Sequence, residues 1–288
     1  MRYGVGLPAN LPGTSGATLL DWARNADAGP FASLAVTDRI VYDSMEIMTA
    51  LTAAAAVTTR IRLMTSILLA AVRPAALVAK QAATIDVLSN GRFTLGLGVG
   101  AREDDFYALD TTPRKRGKRF EEQLGLMKRI WAGEPVSEDI GPIGPKPVQP
   151  GGPLLLIGGG SDAALRRAAR WGDGYLNGSA LPAAARKNYE IVLEPWHRGE
   201  RDKRPLFVSG SYFALGEDAA ERGAARLREY YGEGPRTEAN IQSMMTTPQQ
   251  VRDRIKECED VGMDELLFWP EVADIEQVDR LAEALAGV

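Results

Sequence analysis

Three successive glycines stand where a predicted strand passes into a predicted helix. Residues 158–160 follow the apolar segment 154–157 and precede Ser161 and Asp162. Glycines leave their backbone N–H groups accessible, and the N-terminus of a helix favours an anion. The pattern predicts a phosphate-binding turn; the alternative is a plain strand-to-helix turn in which Ser161 or Asp162 caps the helix.

A second glycine pattern, GLGVGA, occupies residues 96–101. It matches the dinucleotide-binding fingerprint, but residues 102–112 are charged and irregular where that motif needs a helix at once. Two other interpretations remain open. The glycines either fit a crowded interior, or residues 98–100 lie against a flat ring.

Several polar side chains follow predicted strands, and a carboxylate there could orient or protonate a flat heterocycle. An arginine at the same edge could stabilise developing negative charge. The residues concerned are Asp38, Arg39, Thr65, Ser66, Arg73, Glu103 and Asp104.

Other chemistries have little support in the composition. His197 is the only histidine and Cys258 the only cysteine, so no Ser-His-Asp triad, multi-residue metal site or internal disulfide is expected. Cys258 lies in a predicted amphipathic helix and is expected to be a packing residue. A net charge of -4 argues against nucleic-acid binding. No apolar run approaches the roughly 20 residues of a membrane helix, which predicts a cytoplasmic protein that does not bind membranes.

The elements that would position these residues repeat as strand followed by helix. Eight such units predict one (β/α)8 TIM barrel domain over residues 1–288, with a doubly wound sheet as the alternative. Loop insertions are predicted near 101–113, 133–152 and 232–246, the second with room for a short strand and the third without clear periodicity. The predicted strands are residues 3–7, 33–37, 63–68, 93–99, 154–157, 174–176, 205–215 and 265–269.

The chain resembles the bacterial luciferase-like flavin-dependent oxidoreductases, which include enzymes that use the deazaflavin coenzyme F420. Three segments carry the resemblance: LSNGRFTLGLGVGAREDDFYAL, LLLIGGGSDAALRRAARWGDGYL and TPQQVRDRIKECEDVGMDELLFWP. The resemblance extends from Arg2 to about Leu285. It implies a (β/α)8 barrel, commonly dimeric, that holds FMN or F420 at the carboxyl ends of its strands.

The resemblance also implies roles for individual residues. The bulged end of the third strand, with a cis peptide bond between Ser66 and Ile67, would support the cofactor ring. Glu103 matches an acid that serves proton transfer in some deazaflavin-dependent dehydrogenases. The implied cofactor-binding residues are Asp38, Thr65, Ser66, Ile67, Val99, Gly100, Gly158, Gly159, Gly160 and Ser161; the implied catalytic residues are Asp38, Arg39 and Glu103, and no metal ligand is implied.

Arg39 departs from the family pattern, because many deazaflavin-dependent relatives have histidine at this position. Arginine cannot shuttle protons near neutral pH as histidine does. Arg39 would instead bind an acidic substrate or a developing negative charge, or pair with Asp43.

The resulting hypothesis is an oxidoreductase that passes a hydride, or an oxygen atom derived from dioxygen, to a small organic substrate. NADPH or a separate reductase would supply the reduced cofactor, residues 232–246 would form a lid, and helices near 50–57 and 75–88 would form a homodimer face. One alternative is a non-catalytic flavin-binding barrel. Another is a phosphate-binding isomerase or aldolase, although the predicted helix places its candidate base, Lys80, outside the barrel.

Overall fold

Parallel pairing between strands that follow one another in the chain closes the sheet into a barrel. The computed structural model describes residues 1–179 and 181–287. Each strand pairs with the next, and β8 pairs with β1. The predicted (β/α)8 barrel is therefore confirmed, and a doubly wound sheet, which is open, is excluded. The strands are β1 (Arg2–Gly6), β2 (Ser33–Val36), β3 (Arg62–Leu69), β4 (Phe93–Gly98), β5 (Leu154–Gly158), β6 (Gly174–Leu176), β7 (Leu206–Phe213) and β8 (Glu265–Pro270).

Helices connect the strands and cover the outside of the barrel. Several begin at a capping side chain: Ser15 accepts a hydrogen bond from the N–H of Thr18 at 3.0 Å, and Thr247 forms a capping box with Gln250. The helices are α1 (Gly16–Ala28), α2 (Ile47–Val57), α3 (Ala75–Leu88), α4 (Glu103–Tyr107), α5 (Arg116–Trp131), α6 (Asp162–Trp171), α7 (Pro182–His197), α8 (Ala219–Tyr231), α9 (Pro235–Ser243), α10 (Pro248–Asp260) and α11 (Glu276–Leu285).

The barrel interior is a packed core that is closed at the amino ends of the strands. There Glu265 accepts a hydrogen bond from Ser33 and pairs with Arg2 at 3.2 Å, while Arg62 Nη2 donates to Thr94 Oγ1 at 2.7 Å. These polar groups thus satisfy one another at the amino ends of the strands. Above them lie the interior apolar residues Ala35, Met64, Leu156, Leu176, Val208, Leu267 and Trp269.

The three predicted insertions differ in structure. Residues 101–113 contain the short helix α4. Residues 133–152, all of which the structure describes, contain no strand, so the short strand that the sequence analysis considered for this loop is absent. Residues 232–246 contain α9, which the sequence prediction treated as irregular. The reason is that α9 buries the polar residues Thr237 and Asn240 and so has no apolar stripe.

Three residues considered from the sequence lie away from the carboxyl face of the barrel. Cys258 is buried in α10, where burial raises the pKa of its thiol to about 12, so it packs as predicted. His197 is exposed at the end of α7. Lys80 is exposed on α3, outside the barrel, and its Nζ donates to the Gly144 carbonyl at 2.8 Å. Within the described residues no helix has the length and apolar character needed to span a membrane.

Candidate functional site

A cleft at the carboxyl ends of the strands consists of three adjoining cavities. The central cavity, about 200 Å³, is lined by Ile67 and Trp269 among others. The β4-side cavity, about 570 Å³, includes Gly100, and the β5-side cavity, about 470 Å³, includes Gly160. Arg236 lines all three cavities. The helix α9 therefore forms a wall along the whole cleft.

The end of β3 has the unusual backbone that the resemblance implied. The peptide bond between Ser66 and Ile67 is cis, and the pairing of β3 with β4 shifts register between Thr65 and Leu68, which is the predicted bulge. At the bulge, Thr65 Oγ1 donates to the Gly96 carbonyl at 2.8 Å and accepts from the Gly96 N–H at 2.9 Å. Thr65 is fully buried and supports the cleft from beneath, whereas Ser66 and Ile67 line the central cavity.

Glycines in β4 and β5 make room for this bulge. A Cβ on Gly98 would lie 2.0 Å from Ile67 Cδ1, and one on Gly158 would lie 2.9 Å from Ile67 Cγ2. A Cβ on Gly96 would meet the β3 backbone at 2.0 Å. These contacts favour the crowded interior over a ring against Gly98, and a dinucleotide fingerprint does not fit the fourth strand of a closed barrel. Gly100, with φ of +80°, does line the β4-side cavity, as does Val99.

Asp38 is buried in the wall of the β4-side cavity. Its carboxylate accepts hydrogen bonds from Arg73 Nη2 at 3.1 Å and from the Leu69 N–H at 2.8 Å. Burial raises the pKa of Asp38 above its usual range, although Arg73 and the Leu69 N–H act in the opposite direction. Asp38 thus connects the end of β2 to the segment that follows the bulge in β3.

Arg39 is held by two carboxylates from α4. Its Nε lies 3.0 Å from Asp105 Oδ2 and its Nη2 lies 3.1 Å from Asp104 Oδ2, while Nη2 also donates to the Val41 carbonyl at 2.9 Å. The Arg39 side chain is only 6% exposed. The structure therefore pairs Arg39 with Asp104 and Asp105 rather than with Asp43, and Arg39 lines the β4-side cavity.

Glu103 lies at the edge of this arrangement. Its side chain is exposed and accepts a hydrogen bond from the Tyr107 hydroxyl at 3.3 Å. Its neighbours Arg102 and Asp105 line the β4-side cavity, whereas Glu103 does not line any of the three cavities. Its role in proton transfer stays a prediction.

The glycine turn after β5 faces two cavities. Gly158 and Gly159 line the central cavity, and Gly159 and Gly160 line the β5-side cavity. Ser161 Oγ accepts from the first turn of α6, so its side chain is the helix cap that the plain-turn interpretation expects. Among the described residues the N–H groups of Gly159 and Gly160 have no protein acceptor, and a Cβ on Gly160 would meet nothing closer than Asn188 Nδ2 at 4.0 Å. The turn therefore has both the donors and the space that a phosphate requires.

Two charged residues that sequence reasoning missed face the central cavity. Glu271 directly follows β8. It could have been found as Asp38 was, as a polar side chain that comes just after a predicted strand. Arg226 lies on α8, and no local pattern distinguishes it from the exposed arginines of that helix. Burial raises the pKa of the Glu271 carboxyl to about 8, although Arg226 nearby acts to lower it.

Buried polar atoms without a hydrogen-bond partner are concentrated at this cleft. Four of them belong to residues that line the central cavity, and Asn240 Nδ2 belongs to a residue of the β5-side cavity. Buried polar groups are almost always paired, so such a cluster indicates a place where a polar ligand binds. The central four are Thr37 Oγ1, Ser66 Oγ, Arg226 Nε and Glu271 Oε2.

Known proteins resemble the chain in both sequence and fold. An uncharacterized protein of Mycobacterium tuberculosis is 32% identical over 164 residues, which cover 54% of this chain and 58% of that protein. The chain thus spans less than two thirds of this relative's length. The FMNH(2)-dependent dimethylsulfone monooxygenase of Pseudomonas fluorescens is 25% identical over 258 residues, which cover 74% of this chain and 69% of the enzyme.

A solved structure has the same architecture over the whole chain. It is an F420-dependent secondary alcohol dehydrogenase in complex with an F420-acetone adduct, with a TM-score of 0.83, 18% sequence identity, and coverage of 100% of this chain and 99% of that one. At this identity the likeness shows the fold. The sequence profile of the family described as luciferase-like monooxygenase matches residues 1–285. The chain therefore belongs to the luciferase-like monooxygenase family, a family of oxidoreductases.

Proposed function

We propose that this protein binds reduced FMN or coenzyme F420 in the cleft and uses it to transfer a hydride, or an oxygen atom from dioxygen, to a small organic substrate. One observation carries the proposal. The bulged end of β3, where Ser66 and Ile67 line the central cavity, lies in the same cleft as the glycine turn with its unpaired donors. One end of the cleft thus suits a flat ring and the other a phosphate.

The phosphate end is assigned to residues 158–161. The N–H groups of Gly159 and Gly160 have no acceptor among the described residues, the space beside Gly160 is open, and the N-terminus of α6 adds a favourable field for an anion. The ring is assigned to the backbone at Ser66 and Ile67. Thr65 holds this backbone from below through its two hydrogen bonds to β4.

The β4-side cavity contributes fixed charge. The ion pairs of Arg39 with Asp104 and Asp105 of α4 keep its guanidinium in one position. We assign Arg39 to the stabilisation of negative charge and Asp38 to the positioning of the segment after β3. Glu103 would act as an acid only after its side chain turns towards the cleft, because it is exposed in this structure.

The cofactor, when bound, supplies the hydride or, in the case of FMN, the reaction with dioxygen. The chain excludes water from the central cavity with the apolar side chains of Ile67, Leu176, Leu227 and Trp269. NADPH or a separate reductase would have to supply the reduced cofactor. The helix α9 is the proposed lid, since it lines all three cavities through Arg236.

Fluorescence titrations with FMN and with F420 test this proposal. The wild type should bind at least one of them, and Gly160→Val should weaken that binding by about tenfold or more, because its side chain would fill the open side of the glycine turn. Gly141→Val is the matched control. An added Cβ on Gly141 would meet nothing within 4 Å, and Gly141 lies in the 133–152 loop away from the cleft.

Each outcome separates hypotheses. Binding of F420 alone supports hydride transfer, since deazaflavins react poorly with oxygen, and binding of FMN alone supports oxygen insertion. Binding of neither cofactor, or equal effects of Gly160→Val and Gly141→Val, would refute the assignment of the phosphate to this turn. Turnover of the reduced cofactor with a panel of small substrates then distinguishes an enzyme from a flavin-binding protein.

A further inference from the structure

Arg226 and Glu271 face the central cavity without forming an ion pair. Among the described residues, Arg226 has no carboxylate partner, and its Nη2 donates to the Asn10 carbonyl at 3.0 Å. The Arg226 guanidinium carbon lies 4.7 Å from the Tyr230 ring centroid and 5.4 Å from that of Tyr42, so the guanidinium packs against both rings. The Nε of Arg226 is buried and unpartnered, as is Oε2 of Glu271.

Both side chains are more than nine-tenths buried: Arg226 is 8% exposed and Glu271 is 6% exposed. A buried cation without a counter-ion is costly, and leaving buried polar atoms without partners adds a further cost. The two residues come from different elements, α8 and the end of β8, yet they line one cavity. Such an arrangement persists where a ligand supplies the missing partner.

We infer that Arg226 and Glu271 form a subsite for a carboxylate group of the substrate, with Arg226 as its counter-ion and the protonated Glu271 carboxyl as a hydrogen-bond donor. The apolar side chains of Leu227, Trp269 and Pro270 line the same cavity, which also has polar walls that include Asn177, Tyr231 and Arg236. The substrate class that we assign is a small organic acid whose apolar body packs against the three apolar side chains. This inference rests on the proposed function only in treating the bound molecule as the substrate.

The subsite has a defined dependence on pH. Glu271 is faced by Arg226 and Tyr231 from α8 and by Tyr212 from β7, and the two tyrosine hydroxyls lie 2.6 Å apart. Burial raises the pKa values of both tyrosines above their usual range and that of Glu271 to about 8. Ionisation of Glu271 would place a negative charge beside Arg226 and repel an anionic ligand. Affinity for a carboxylate should therefore fall as the pH rises through about 8.

Calorimetric titration with matched acids and alcohols tests the inference on the intact 288-residue chain without cofactor. The probes are acetate, hexanoate and benzoate, with ethanol, hexan-1-ol and benzyl alcohol as uncharged partners. At neutral pH at least one acid should bind about tenfold or more tightly than its alcohol. Its Kd should rise about tenfold per pH unit above pH 8, because only protonated Glu271 binds it.

Three variants sharpen the experiment. Arg226→Met should abolish the preference for the acid, and Glu271→Gln should keep the preference but remove the loss of affinity above pH 8, because an amide remains neutral. Arg24→Met is the control, since Arg24 is an exposed helical arginine paired with Asp21 at 2.7 Å far along the chain from this cavity. It should behave as the wild type.

Equal affinity for every acid and its alcohol would overturn the inference, as would an unchanged pH profile in Glu271→Gln. The inference is also overturned if Arg226→Met weakens the binding of FMN or F420 while the preference for the acid persists, because Arg226 would then serve the cofactor. If an acid binds as expected but neither cofactor does, the subsite stands and the proposed redox function fails.

Discussion

The Glu271→Gln variant should make the free energy of unfolding less dependent on pH. In the folded protein the Glu271 carboxyl is 6% exposed, and burial raises its pKa from 4.5 to about 8. In the unfolded chain water surrounds the same group, and its pKa returns to about 4.3. The folded state therefore binds the proton more tightly than the unfolded state does.

The sign and size of the effect follow from this difference. Below the unfolded pKa the carboxyl is neutral in both states, and the raised pKa costs no stability. As the pH rises towards about 8, the unfolded chain releases the proton while the folded protein retains it, so wild-type stability falls. Each pKa unit is worth about 1.4 kcal/mol, which gives a total loss of about 5 kcal/mol. Gln does not titrate, so the variant avoids this loss.

Urea unfolding at a series of pH values, followed by circular dichroism, measures this effect. The variant should gain about 5 kcal/mol relative to the wild type between about pH 4 and pH 9, with little further change above pH 9. Glu276→Gln, the same change at an exposed carboxylate in the first turn of α11, controls for the loss of one negative charge. A constant difference between wild type and Glu271→Gln across this range would show that Glu271 is ionised in the folded protein, and the reasoning would fail.

Two further predictions concern the Arg39 ion pairs and the oligomeric state. Arg39→Met should lower the free energy of unfolding by about 3–5 kcal/mol, because it leaves the Asp105 carboxylate, 1% exposed, without its cation. Asp43→Asn, at an exposed carboxylate, is the control. A loss of less than about 1 kcal/mol in Arg39→Met would contradict the importance of the ion pair. We also propose a homodimer through the apolar faces of α2 and α3, where Leu77 is 49% exposed. Leu77→Glu should then change the species seen in analytical ultracentrifugation from dimer to monomer. The control Ile140→Glu, at a loop residue 55% exposed, should remain dimeric. A monomeric wild type would refute the proposal.

Local sequence patterns were sufficient for the barrel and for parts of the cleft. Strand and helix periodicities depend on neighbouring residues, and consecutive parallel strands have few possible arrangements, so eight repeated units predicted the closed sheet. The cis bond between Ser66 and Ile67 and the adjacent bulge were predicted from the resemblance. The glycines of β4 suggested either a ring or a crowded interior, and only the position of Ile67 against Gly98 decided between them.

The tertiary structure alone decided which charges meet in the cleft. Arg39 and Asp105 are 66 residues apart in the chain, and the alternative partner Asp43 is only four residues from Arg39, so proximity in sequence favoured the wrong pair. The helix α9 was missed because the residues it buries are polar. Arg226 and Glu271 belong to separate elements, and their burial and their lack of partners are properties of packing that no local pattern encodes. The sequence determined the scaffold because periodicity is local, whereas the chemistry of the cleft arises from contacts between distant segments.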